Sequence, residues 1–100
     1  MAGACRHVGI IALSPCHLTF SSSGPNHAVV TVTVQHHING TVVEHNDCGG
    51  AAGVAKISRR TNVRWVVTAG ATSGNCEARF NFYHNGNKEG WALLQITNNK

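Results

Sequence analysis

Four cysteines, seven histidines and a small group of arginines are the residues of this 100-residue chain whose chemistry goes beyond packing. Cys5, Cys16, Cys48 and Cys76 admit three pairings. No two of them stand in a CxxC spacing, so neither a zinc knuckle nor a thioredoxin-type pair is indicated. Cys76 is in phase with Phe80 and Phe82, on the apolar side of a strand. Cys48 lies in a crossing, Asn46 to Gly53, that holds three glycines and can approach it. A bridge between these two would close a loop of about 28 residues and stabilise the fold by ~3.5 kcal/mol through chain entropy; two buried free thiols are the alternative. For Cys5 and Cys16 three states stay open: a bridge across Pro15, free thiols, or a link between chains. Arg6, His7 and His17 could depress a nearby thiol pKa, but the sequence places no partner base, so a nucleophilic cysteine is not expected.

The histidines are His7, His17, His27, His36, His37, His45 and His84. A metal needs three or four converging ligands. His36 and His37 are neighbours and point to opposite faces if they lie in a strand. His45 with Asp47, or His37 with His45 across a hairpin, could make only a loose surface site. No metal and no cofactor are therefore expected, and the histidines are read as exposed strand-end and loop residues on a polar surface. The four acids, Glu44, Asp47, Glu77 and Glu89, fall in different segments, and no GxSxG elbow, P-loop or GxGxxG occurs. The chain is read as not an enzyme. Lys56, Arg59, Arg60, Arg64 and Arg79 form the one basic concentration. Arg64 and Arg79 both face outward and are expected to share a sheet surface. Only Tyr83 could interleave with them, so no nucleic-acid partner is expected. A solvated outer face is the main reading, with an anionic glycan or a lipid headgroup as the alternative.

The elements that must position these groups are strands. The chain is 42% hydrophobic and 12% charged with a net charge of +4. Valine, threonine, glycine and asparagine are abundant, which favours β structure and argues against disorder. The last quarter is the clearest element. Cys76, Ala78, Phe80 and Phe82 alternate with Glu77, Arg79, Asn81 and Tyr83. After turn residues 84–88, Ala92, Leu94 and Ile96 alternate with Trp91, Leu93, Gln95 and Thr97. Val8 to Leu13, Cys16 to Phe20, His27 to Gln35, Thr41 to His45, Val54 to Ser58 and Val63 to Ala69 supply further short strands. Asn39-Gly40 is a turn signal, read as a hairpin turn or as an interruption within a longer strand pair. Turn residues recur every eight to twelve positions, the pattern of a sandwich. No stretch of eighteen apolar residues is present, so no membrane span is expected.

Ile11-Ala12-Leu13-Ser14-Pro15 with Leu18-Thr19-Phe20 resembles the opening "l-x-P-x-x-L-x-F" of bacterial immunoglobulin-like (Big-type) repeats. The valine-threonine strand at 29–34 is similar to their second strand. Asn46-Asp47-Cys48, then Ala52, Val54 and Ile57, then Trp65-Val66-Val67-Thr68 and Ser73-Gly74-Asn75-Cys76 resemble the version with an internal cysteine pair. Leu94-Gln95-Ile96-Thr97 fits the last strand. Cys5 and Cys16 have no counterpart in that pattern, and the closing hairpin, with Phe80, Phe82, Tyr83 and Trp91, is richer in aromatics. The resemblance spans residues 8–97 and implies an immunoglobulin-like fold without catalysis.

The expectation is an all-β, immunoglobulin-like Greek-key β-sandwich of seven to eight short strands over 8–97, with a leader at 1–7 and a tail at 98–100. Its core would be Ile11, Leu13, Leu18, Phe20, Val30, Val32, Val34, Val63, Trp65, Val67, Cys76, Phe80, Phe82, Leu94 and Ile96. Met1-Ala2-Gly3-Ala4 reads as a start with a short leader on a domain cut from a longer secreted protein, which places it outside the cell or on its surface. The leading function is a structural, spacer or assembly module of a bacterial surface or secreted protein, touching neighbouring domains or subunits. The alternative is a protein- or glycan-binding adhesion module that uses Tyr83, Trp91, Leu93, Arg79 and Arg64. A third reading is a self-assembling filament or phage-surface subunit.

Overall fold

The computed structural model describes residues 4–100, leaving out the side chain of His37. Its strands are β1 (His7–Gly9), β2 (Ile11–Ser14), β3 (His17–Phe20), β4 (His27–Val34), β5 (Thr41–Asn46), β6 (Ala55–Arg59), β7 (Arg64–Ala69), β8 (Gly74–His84) and β9 (Asn87–Asn98). Short 3-10 turns occupy Gln35–His37 and Gly50–Ala52. The strands make two sheets packed as a sandwich. One runs β1-β9-β8-β5, with β3 added parallel to β9; the other runs β2-β4-β7-β6. Among the described residues no helix is long and apolar enough to cross a membrane.

There is one strand more than expected because the first apolar run divides. Gly9 takes a left-handed φ of 83°, and the chain leaves β1 in the first sheet to form β2 in the second. The cis bond Ser14-Pro15 then turns it back to the first sheet as β3. The strands also overrun the expected limits of 8–97 by one residue at each end, from His7 to Asn98.

Period-two alternation sets the core. Ile11, Leu13, Val30, Val32, Trp65 and Val67 from one sheet meet Leu18, Phe20, Cys76, Phe80, Phe82, Leu94 and Ile96 from the other, all buried. Each such large apolar side chain contributes roughly 1.5–3 kcal/mol on burial. Trp65 meets Phe80 edge to face, with centroids 5.1 Å apart. Two expected core residues differ. Val34, at the end of β4, packs against the core but stays half-buried, and Val63 is 48% exposed and outside it. β7 starts at Arg64, so Val63 belongs to the preceding turn. There its carbonyl accepts the Val32 N–H at 2.7 Å while its side chain faces water. Val42, Ala55, Ala78 and Ala92 join the core instead. The low regularity of 54–58 is explained by its start: Val54 precedes β6, and Ala55 and Ile57 then alternate normally opposite Ala69 and Val67.

Asn39-Gly40 makes no hairpin. β4 and β5 lie in different sheets, and the segment between them crosses the sandwich. Gly40 is needed there for close approach, because a Cβ would stand 2.3 Å from the Tyr83 carbonyl and 2.5 Å from the Phe82 ring. The true tight hairpin is Asn85-Gly86, with φ of 52° and 80°, the pair of positive values that a two-residue turn between twisted strands requires. Asn87 and Lys88, expected in the loop, are already paired with His84 and Tyr83. Glu89 is the extra residue of the register shift that follows.

The outer edge of β5 is covered by a side chain. The Asn62 Oδ1 accepts the Val42 N–H at 2.9 Å, and its Nδ2 donates to the Gly40 carbonyl at 3.0 Å, as a neighbouring strand would. Such an edge otherwise invites pairing with another chain. Asn62→Ala is expected to destabilise by about 1–2 kcal/mol, the cost of stranding a part-buried N–H. Urea midpoints and faster amide exchange at Val42 would register it, and an unchanged midpoint would contradict the edge-capping role.

Candidate functional site

Both disulfides close within the chain. Cys5 and Cys16 have Cα atoms 5.7 Å apart, Cys48 and Cys76 5.1 Å apart, and no described cysteine is free. Cys48 and Cys76 are buried, while Cys5 is exposed. Asp47 stands beside the inner bridge, but its Oδ1 accepts the Glu77 N–H at 2.9 Å and the two sulfurs are bonded to each other. The trio therefore offers no thiolates to a metal. It is the one group with ligand-like spacing among the described residues. The imagined His37–His45 hairpin does not exist, since β4 and β5 are in different sheets; the His37 side chain lies outside the described residues.

The outward face of the closing hairpin carries rows of directly opposed residues. Val8, Trp91, Asn81 and Val43 form one row across β1, β9, β8 and β5. Leu93, Arg79 and His45 form the next, and His17, Gln95 and Glu77 the one after. The Arg79 guanidinium lies 4.5 Å from the centre of the Trp91 ring. This cation–π contact is worth roughly 0.5–1 kcal/mol where exposed. Tyr83 is half-buried, opposite Thr41 and Lys88. His84 Nδ1 sits 2.6 Å from the Asn39 carbonyl, which makes that nitrogen the N–H donor and leaves Nε2 to accept from Asn85 Nδ2 at 3.3 Å. The turn is thereby tied to the inter-sheet crossing.

Two expectations for this surface need correction. Leu93 is not exposed: although its phase is outward, it keeps only 7% of its surface. It stands opposite Arg79 on β8, and on its other side its N–H donates to the Arg6 carbonyl at 2.9 Å, so it is flanked on both edges. Arg64 does not share a surface with Arg79. It lies on β7, opposite Thr31, on the other side of the sandwich. The hairpin face thus brings together Tyr83, Trp91 and Arg79, with Leu93 beneath them and Arg64 remote.

Alternation alone does not find the most unusual residue here. Asn81 is only 5% exposed on this outer face, and its Oδ1 has no hydrogen-bond partner. An asparagine in outward phase reads as solvated, so nothing in the sequence flags it. Further along the face an open polar groove of about 890 Å³ is bordered by His17, Thr19, Asn75, Glu77, Gln95 and Thr97. Its polar groups largely satisfy one another: Gln95 Nε2 donates to Glu77 Oε2 at 3.3 Å, and Thr97 Oγ1 to Asn75 Oδ1 at 2.8 Å. Compared with known proteins, the chain matches no family model, no curated protein and no solved structure.

Proposed function

We propose that this chain is a non-catalytic structural or spacer module of a bacterial surface or secreted protein, built as an immunoglobulin-like Greek-key sandwich. The observation that carries the reading is that all four cysteines are spent on two bridges within the chain. Structural disulfides persist in oxidising compartments and serve small domains whose cores are limited. The strand order supports the fold. β2-β4-β7-β6 corresponds to the A-B-E-D sheet of a constant-type immunoglobulin sandwich and β5-β8-β9 to its C-F-G sheet. In this reading β3 is a continuation of the first strand that switches to the opposite sheet.

A spacer keeps its shape without cofactor or partner. The oxidised chain is expected to sediment as a monomer at every concentration and to resist protease, with that resistance lost on reduction. A concentration-dependent oligomer, or equal digestion with and without reductant, would overturn the reading. Assembly through Cys5 would first require the Cys5–Cys16 bridge to open.

The Arg79–Trp91 pair on the outer surface of the hairpin favours a second reading, an adhesion module that grips a protein or a glycan with this face. A sugar ring or an apolar side chain would seat against Trp91, in a row with the exposed Val8 and Val43. Trp91→Ala is then expected to weaken binding of such a ligand by tenfold or more, the scale of an aromatic anchor. Unchanged titrations would exclude this face.

A further inference from the structure

We propose that the outer face of the β2-β4-β7-β6 sheet is a binding surface for an acidic polysaccharide. Charge divides unevenly between the two sheets. Glu44, Glu77 and Glu89 lie on β5, β8 and β9, and Asp47 directly follows β5. All the carboxylates of the sequence thus belong to the first sheet. The second sheet has none, and its β6–β7 hairpin carries Lys56, Arg59, Arg60 and Arg64. Arg59 donates to Asn62 Oδ1 at 3.3 Å, but the exposed side chains of Lys56, Arg60 and Arg64 make no hydrogen bond or ion pair among the described residues. Uncompensated like charges on one face set up a field that attracts a polyanion and decays over about a Debye length, roughly 8–10 Å in physiological salt.

The registers show what the face presents. His27, Thr68 and Lys56 are directly opposed across β4, β7 and β6, and Ser14, Thr31 and Arg64 across β2, β4 and β7. Lys56 stands beside Thr68, four residues along β7 from Arg64, so the two cations are about 13 Å apart along the strands at ~3.3 Å per residue. Between them run short β-branched and hydroxyl side chains, among them Ser58, Val66 and Val29. The result is a flat strip with hydroxyl groups between separated cations. An extended chain with regularly spaced carboxylates or sulfates and many hydroxyls is complementary to it.

Other partners fit less well. The face carries no exposed Phe, Tyr or Trp on which successive bases could stack, only His27 at one end, and no helix to enter a groove of duplex DNA. A second copy offers little counter-charge, because the acids of the first sheet are nearly balanced by Arg6, Arg79 and Lys88. The two disulfides suit a compartment where acidic polysaccharides are met and nucleic acids are not.

The test uses the whole oxidised chain and labelled polymers: polygalacturonate, dextran sulfate, neutral dextran and duplex DNA, with phosphatidylglycerol vesicles alongside. Both acidic polysaccharides should bind and neutral dextran should not. With about three cations engaged, affinity should fall roughly 15- to 40-fold between about 50 and about 200 mM salt. Lys56→Glu and Arg64→Glu should each weaken binding by about tenfold, and Arg6→Glu, with the same change in net charge on the other sheet, by less than about twofold. Arg64→Lys should retain binding within about threefold, which separates charge from any effect on folding. The proposal fails if neither acidic polysaccharide binds, if DNA or vesicles bind more tightly than both, or if Arg6→Glu does as much damage as Arg64→Glu. Lys56 and Arg64 lie in the sheet opposite Trp91 and neither adjoins a bridged cysteine, so the outcome is independent of the spacer reading.

Discussion

Replacing Cys48 and Cys76 together by alanine should lower the unfolding free energy by about 3.6 kcal/mol, the loop-entropy value for a closed ring of this length. The bridge spans 28 positions in sequence, and both its residues are buried. For a domain of this size, with a total stability of roughly 5–10 kcal/mol, that loss separates a robust fold from a marginal one. The position of the bridge reinforces the estimate. Cys48 anchors a segment, Asn46 to Gly53, with little else to bury, and that segment supplies carbonyls to Val54, Ala55, Ala71 and Thr72. The same formula gives about 2.8 kcal/mol for Cys5–Cys16, whose sequence separation is 11. The measured loss there should be smaller still. β1 exposes all three of its residues and can fray once the bridge is gone, so the native state regains part of the entropy. Urea denaturation of the two double-alanine variants tests the order. Equal losses, or a larger loss for Cys5/Cys16, would refute it. Mild reductant should also open the bridge containing the exposed Cys5 first.

The strands were legible because burial on one face imposes a period of two, and this chain keeps it from Ala28 to Val34, from Arg64 to Ala69 and through the closing hairpin. What stayed hidden depends on relations between strands. Asn39-Gly40 has the local chemistry of a hairpin turn whether the chain returns to its neighbour or crosses to the other sheet, and only packing against Phe82 and Tyr83 decides. The placement of Arg64 and Arg79 failed for the same reason. Phase says inward or outward, but not which of two sheets a residue belongs to. Leu93 shows a different limit: a side chain that points outward by phase is still buried on a central strand flanked by neighbours on both sides. The candidate site was therefore half legible. Trp91, Tyr83 and Arg79 followed from alternation, whereas Asn81 and the absence of carboxylates from one whole sheet required the topology.

Asn98 should prove the most sensitive polar residue of the chain, although the sequence places it in a terminal tail. It is 1% exposed, the last inward position of β9. Its Nδ2 lies 3.0 Å from the carbonyls of Val54 and Gly70 and 3.3 Å from that of Thr72, and its Oδ1 accepts the Lys100 N–H at 2.9 Å. One amide thus joins the end of the first sheet to the start of β6 and to the loop leaving β7. The Val54 carbonyl also accepts the Gly70 N–H, so it would keep a partner if Asn98 were lost; those of Gly70 and Thr72 depend on the amide. Asn98→Leu is expected to cost about 2–4 kcal/mol, from two stranded carbonyls at roughly 1–2 kcal/mol each. Asn98→Asp should be worse at neutral pH, because a carboxylate would face three carbonyl oxygens and donate to none. That environment disfavours the charged form and raises the folded-state pKa of the introduced carboxyl above its unfolded value of about 3.9. The folded state then binds more protons than the unfolded one, so stability rises as pH falls through the raised pKa. Relative to the wild type, Asn98→Asp should recover stability between neutral pH and about pH 4, when the protonated carboxyl can again donate, whereas Asn98→Leu should not. Urea midpoints for the three proteins at both pH values decide the matter. Parallel behaviour of the two variants would mean that Asn98 acts by shape, and a loss below about 1 kcal/mol would mean that water replaces it without difficulty.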